Sequence, residues 1–158
     1  MKEFNFNGMK FNKWQMQIIR FGLEAGIDVS VYADPKFDAE QMALIVNGLE
    51  KRLDVSKYAD TKFNACQMKE ILRGLEKGLD VSLYADPKFE NSQMKQIRIG
   101  LENNINVFKY IDTEFDAGQM KIIRKGLEKE LDISVYADPK VTDKQMRKIR
   151  LELKAEKS

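Results

Sequence analysis

Tyr32, Tyr58, Tyr84, Tyr110 and Tyr136 stand 26 residues apart, and Phe6 holds the same place one period earlier. The rest of the unit keeps step. Phe11, Phe37, Phe63, Phe89 and Phe115 recur, with Val141 in the last copy. Gln-Met recurs at 15-16, 41-42, 67-68, 93-94, 119-120 and 145-146, and Gly-Leu-Glu at 22-24, 48-50, 74-76, 100-102 and 126-128. A fixed period of this size marks a repeat architecture, because a unit so small cannot bury its own apolar face and must be covered by its neighbours. Six copies fill nearly the whole chain, over about 6–31, 32–57, 58–83, 84–109, 110–135 and 136–158. The first has a divergent start (FNGMKF), and the sixth reads KVTDKQM and carries Glu152 in place of the recurring Gly. Those departures read as end caps.

Each copy has a physical reading. Asp38 followed by Gln41 is a capping box, and Phe37 with Met42 forms the flanking hydrophobic staple. Met42, Ile45 and Leu49 then follow at helical spacing, with Leu53 just beyond. The place of Arg52 is held by Gly26, Gly78 and Asn104 in other copies, residues that favour the left-handed conformation ending a helix. Arg52 and Glu130 are poorer enders. Asp54 caps a second, short helix of one or two turns, and the residue before Pro35, Pro87 or Pro139 is pushed out of helical geometry. The expected fold is a single all-α domain, 1–158, a solenoid of six 26-residue repeats, each a long helix plus a short helix. Gly22, Gly48, Gly74, Gly100 and Gly126 sit inside the long helices, each costing about 1 kcal/mol against Ala. A recurring cost implies a recurring gain, expected where that flank meets the neighbouring repeat.

Composition narrows the chemistry. There is no His and only one Cys, so the commonest general base and the Cys-His pair are excluded, and no internal disulfide can form. The N-terminal MKEFNFNGMKFNKW lacks the apolar run of a signal peptide, and no stretch is long and apolar enough to span a membrane. A cytoplasmic, non-enzymatic protein without cofactor or metal is the expectation. Lys plus Arg number 27 against 25 Asp plus Glu, so any nucleic-acid partner would need a local basic stripe.

The repeating polar residues have structural readings. Asp34, Asp60, Asp86, Asp112 and Asp138 suit turns better than a row of metal sites, having one nearby carboxylate per repeat. The capping box accounts for the Gln ladder, and the Tyr ladder reads as core rather than as stacking platforms for bases. Cys66 shares its place with Trp14, Glu40, Ser92, Gly118 and Lys144, which marks a surface position.

Two candidate surfaces remain. Where the framework is fixed, a solenoid meets its partner through the residues that vary between units. Varying places are those of Trp14, of Ile18 (Leu44, Glu70, Gln96, Ile122, Lys148) and of Phe21 (Asn47, Arg73, Ile99, Lys125, Leu151). Trp14, Ile18 and Phe21 give the first helix an apolar outer face suited to a protein partner, unless the N-terminal MKEFNF folds over it. The alternative is a phosphate track along Lys69, Arg73, Lys95, Arg98, Lys121, Arg124, Lys125, Arg147 and Arg150, with Arg20 at the start. Glu24, Glu50, Glu76, Glu102 and Glu128 follow the Arg place by four residues and can neutralise that row.

The unit YADPKFxxxQMxxIxxGLExGLDVS resembles a short repeat of uncharacterised proteins from Gram-positive bacteria, often carried on mobile elements and phage-like regions. The resemblance covers almost the whole chain and departs in the first and sixth copies. It carries no assigned reaction. It implies interaction with a host protein, as an inhibitor of a defence system. The sequence therefore points to a non-catalytic protein-binding scaffold or inhibitor, with nucleic-acid binding as the alternative. It leaves the oligomeric state open.

Overall fold

A computed structural model describes residues 2–158. Six long helices follow one another: α1 (Lys13–Glu24), α2 (Ala39–Glu50), α3 (Ala65–Glu76), α4 (Asn91–Glu102), α5 (Ala117–Glu128) and α6 (Asp143–Lys157). The chain falls into two compact units, one ending at Pro87 and the other beginning at Lys88. In the first, α1 packs on α2 and α2 on α3. In the second, α4 packs on α5 and α5 on α6. Each unit is a stack of helical repeats, the solenoid class expected from the period.

Every long helix starts as the sequence predicts. Backbone N–H groups of Asn12, Asp38, Asn64, Asp116 and Thr142 donate to the Gln three residues on, whose own N–H donates back to the cap side chain. The ends are equally uniform. Gly26, Arg52, Gly78, Asn104 and Glu130 all take positive φ, between 54° and 72°. The N–H of the next residue then donates to the recurring Gly carbonyl, as Leu53 does to Gly48 at 2.9 Å and Leu131 to Gly126 at 2.9 Å. This Schellman closure forms whether or not the residue suits it, so Arg52 and Glu130 end their helices like the glycines.

The second element is at the short end of the one or two turns expected. It is a single 3₁₀ turn, at Val29–Val31, Val55–Lys57, Val81–Leu83, Val107–Lys109 and Ile133–Val135. On one side an Asp carboxylate closes on Ser in four of the five turns, as Asp28 does with the Ser30 N–H and hydroxyl, and Asn106 accepts from the Phe108 N–H in the fourth. The two Ser30 bonds, hydroxyl first, hold the Asp28 carboxyl below its ordinary value. On the other side Tyr leaves helical geometry, with φ −132° at Tyr32, because its ring turns back onto the long helix.

That turn explains the recurring glycines: their flank meets the next repeat, as expected, through the Tyr that opens it rather than through an approach of backbones. The Tyr ring lies across the Gly. A Cβ on Gly48 would overlap the Tyr58 hydroxyl and meet Val55 Cγ1 at 2.6 Å. With the Gly bare, the hydroxyl donates to the carbonyl four residues earlier in the helix, Tyr32 to Ile18 at 3.0 Å and Tyr58 to Leu44 at 2.6 Å. The same bond runs from Tyr84 to Glu70 and from Tyr110 to Gln96. All five Tyr rings are buried with the Met and Ile of the long helices. Burial pushes the Tyr32 phenol up to about 12.

One element departs from the all-α expectation. Residues Phe4–Phe6 (β1) and Met9–Phe11 (β2) pair antiparallel, Phe4 opposite Phe11 and Phe6 opposite Met9. Asn7 and Gly8, both at positive φ, make the two-residue turn. Asn-Gly between apolar residues is the strongest short hairpin signal, here outweighed by the repeat register. Phe11 is buried, with Phe6 edge-on to it at 6.4 Å.

Candidate functional site

The polar ladders are absorbed by the framework. Asp34, Asp60, Asp112 and Asp138 each accept from the N–H two residues on at 2.9 Å, as turn residues do. Among the described residues no group of three or more potential metal ligands comes together. Cys66 is exposed. The Gln ladder does more than cap. The side-chain nitrogen of Gln15 donates to the Phe37 carbonyl at 2.7 Å, that of Gln41 to Phe63 at 2.7 Å, and that of Gln93 to Phe115 at 2.8 Å. Gln119 reaches both Pro139 and Val141, at 2.9 and 2.8 Å. One amide thus closes its own helix with its oxygen and ties down the next repeat with its nitrogen.

The first candidate surface is on α1. Trp14 is 55% exposed and Phe21 47%, while Ile18 between them is half-buried and gives its carbonyl to Tyr32. Residues 2–6 leave the two aromatic residues exposed, Phe4–Phe6 being held in the hairpin, where the Phe4 ring lies 5.5 Å from the Arg20 guanidinium; Met1 lies outside the described residues. Lys13 sits over the Trp14 ring at 5.1 Å. The varying places differ in burial. Those of Trp14 and Phe21 stay largely at the surface. The place of Ile18 turns inward in the later repeats, where Glu70, Gln96 and Ile122 are buried.

The basic row splits into paired and unpaired residues. Arg73 bonds to Glu70 at 2.8 Å and Arg98 to Glu102 at 2.5 Å. Arg124 pairs with Glu128 and donates through Nε to Gln96 at 3.2 Å. Arg98 and Arg124 are both buried. Their Glu partners thus neutralise the Arg place as the four-residue spacing allows. Lys69, Lys95, Lys121, Lys125, Arg147 and Arg150 have no ion-pair partner among the described residues. Lys121, Lys125, Arg147 and Arg150 line a cleft between α5 and α6 of about 370 Å³, with Gly118 and Ile122. Lys121 first, then Arg150 and Arg124, together with partial desolvation, hold the Lys125 ammonium below its ordinary value.

No helix among the described residues is long and apolar enough to cross a membrane. No protein-family description, curated protein or solved structure matches the chain.

Proposed function

We propose that the protein is a non-catalytic binding module that engages another protein through the exposed face of α1. The observation that carries this reading is the pair Trp14 and Phe21, two large aromatic side chains left about half exposed one above the other on a helix that buries Gln15, Met16, Ile19 and Gly22. Aromatic anchors of this kind dominate interface energetics once buried. The framework bonds are spent on holding the repeat, and no nucleophile-base pair is present to suggest turnover. The resemblance of the repeat unit adds a partner class, a host defence protein inhibited by occupancy. The nucleic-acid alternative draws less support, since Arg73, Arg98 and Arg124 already hold acidic partners, which leaves it the place of Lys69, Lys95, Lys121 and Arg147.

Trp14 is the only Trp, so its emission reports on this face directly. With a protein captured on the immobilised wild type, the Trp14→Ala/Phe21→Ala variant is expected to bind that protein at least about 30-fold more weakly, with unchanged circular dichroism. Trp14 emission should shift to the blue on complex formation. Equal affinity of wild type and variant, or emission unmoved by the partner, removes the reading.

A further inference from the structure

The α5–α6 pair departs from the α4–α5 pair in the surroundings of one arginine. Arg124 on α5 is buried with its guanidinium satisfied at both ends, by Gln96 of α4 and by Glu128 one turn along its own helix. Arg150 holds the same place on α6, one period later. Both of its expected acceptors are replaced: Ile122 stands where Gln96 does, and Lys154 where Glu128 does. Arg150 Nε is accordingly buried without a hydrogen-bond partner. A buried guanidinium donor without an acceptor is costly and uncommon, and the repeat shows how the chain satisfies it elsewhere.

The surroundings compound the effect. Lys121, Lys125 and Arg147 share the cleft with Arg150, and none has an ion-pair partner among the described residues. Gly118 stands at one end, where the other repeats carry Trp14, Glu40, Cys66, Ser92 and Lys144. A Cβ there would meet Asp143 Oδ2 at 3.0 Å and Asp116 Oδ1 at 3.2 Å, so two carboxylates border the cleft at that end. Four cations less two carboxylates leave a local charge of +2. A single monoanion cannot balance that charge.

We propose that the α5–α6 cleft is a binding site for a compact polyphosphate, an anion carrying two or more linked phosphate groups. Arg150 and Arg147 offer planar forks suited to phosphate oxygens, and Lys121 and Lys125 offer point charges. The cleft volume, about 370 Å³, is that of a small-ligand pocket. A linked diphosphate brings a charge near −3 at neutral pH, each phosphate group contributing about −1.5 to −2. The site lies wholly within the second unit and does not depend on the α1 surface.

Titration calorimetry at low salt tests this with inorganic phosphate, pyrophosphate, tripolyphosphate and a short single-stranded oligonucleotide as probes. Pyrophosphate and tripolyphosphate are expected to bind one per chain, at least about tenfold tighter than inorganic phosphate. Lys154→Glu rebuilds the arrangement seen at Arg124, and should weaken pyrophosphate at least about tenfold without lowering the melting temperature. Arg150→Gln should weaken it likewise, whereas Trp14→Ala/Phe21→Ala should leave it unchanged. The proposal is overturned if pyrophosphate shows no heat, or if it binds both cleft variants as tightly as wild type. It is also overturned if the oligonucleotide outcompetes tripolyphosphate and loses affinity in Lys69→Gln, outside the cleft.

Discussion

At the scale of the residue, the recurring pair of Gly and Tyr decides how each repeat closes. A Gly inside a helix is a defect of about 1 kcal/mol, yet the space it leaves admits a Tyr ring and a hydroxyl-to-carbonyl bond. The two effects set a clear contest for Gly48→Ala. Better helix propensity favours Ala by about 1 kcal/mol, while overlap with Tyr58 and Val55 opposes it by about 1–3 kcal/mol and also displaces the Leu44 bond. We expect a net loss of about 2 kcal/mol in urea unfolding. Tyr58→Phe alone should lose about 1 kcal/mol. Because Phe removes the overlapping hydroxyl, the double variant should be less destabilised than the sum of the two. Strict additivity would show that the Gly is not there for the Tyr. Both residues were legible in sequence as periodic core positions. Their pairing was not, because it depends on the 3₁₀ turn swinging the ring back by ten residues, a geometry that spacing alone does not encode.

At the scale of the element, the helix ends show the fold overriding local preference. Arg52 and Glu130 take the left-handed conformation that Gly26 and Gly78 adopt without strain. For a side-chain-bearing residue this costs about 1–2 kcal/mol, partly offset by the smaller entropy that it loses on folding. Arg52 has no ion pair to lose among the described residues, so Arg52→Gly should raise stability by about 0.5–1 kcal/mol, read as a melting temperature higher by about 1–4 °C. A lower melting temperature would mean that the Arg side chain contributes something the geometry does not reveal. The hairpin is the other lesson at this scale. Asn7-Gly8 announced it, but Phe6 and Phe11 also satisfied the 26-residue register, and the register was read first.

At the scale of the whole molecule, nearest-neighbour ties carry the fold, and the Gln ladder makes them explicit. In the sequence the capping box already accounted for Gln, so its second bond was overlooked. A signal was present: all six copies use Gln, although Glu serves a capping box equally well, and only Gln keeps a donor to spare. The candidate surfaces were legible to a similar depth. The α1 aromatic residues could be named from their variation between repeats. The cleft cations could be named from their register, but not the unpaired state of Arg150, which follows from two substitutions in neighbouring elements, Ile122 and Lys154. The tie between repeats can be measured by comparing two variants of the same residue. Gln119 caps α5 and also holds two carbonyls of the following repeat. Gln145 caps α6, is exposed, and makes no bond to another repeat. Thermal unfolding of Gln119→Met and Gln145→Met should therefore differ, Gln119→Met losing about 1–3 kcal/mol more, since it alone leaves carbonyls unbonded between repeats. Equal losses would contradict the account, because the recurring Gln would then be no more than a helix cap.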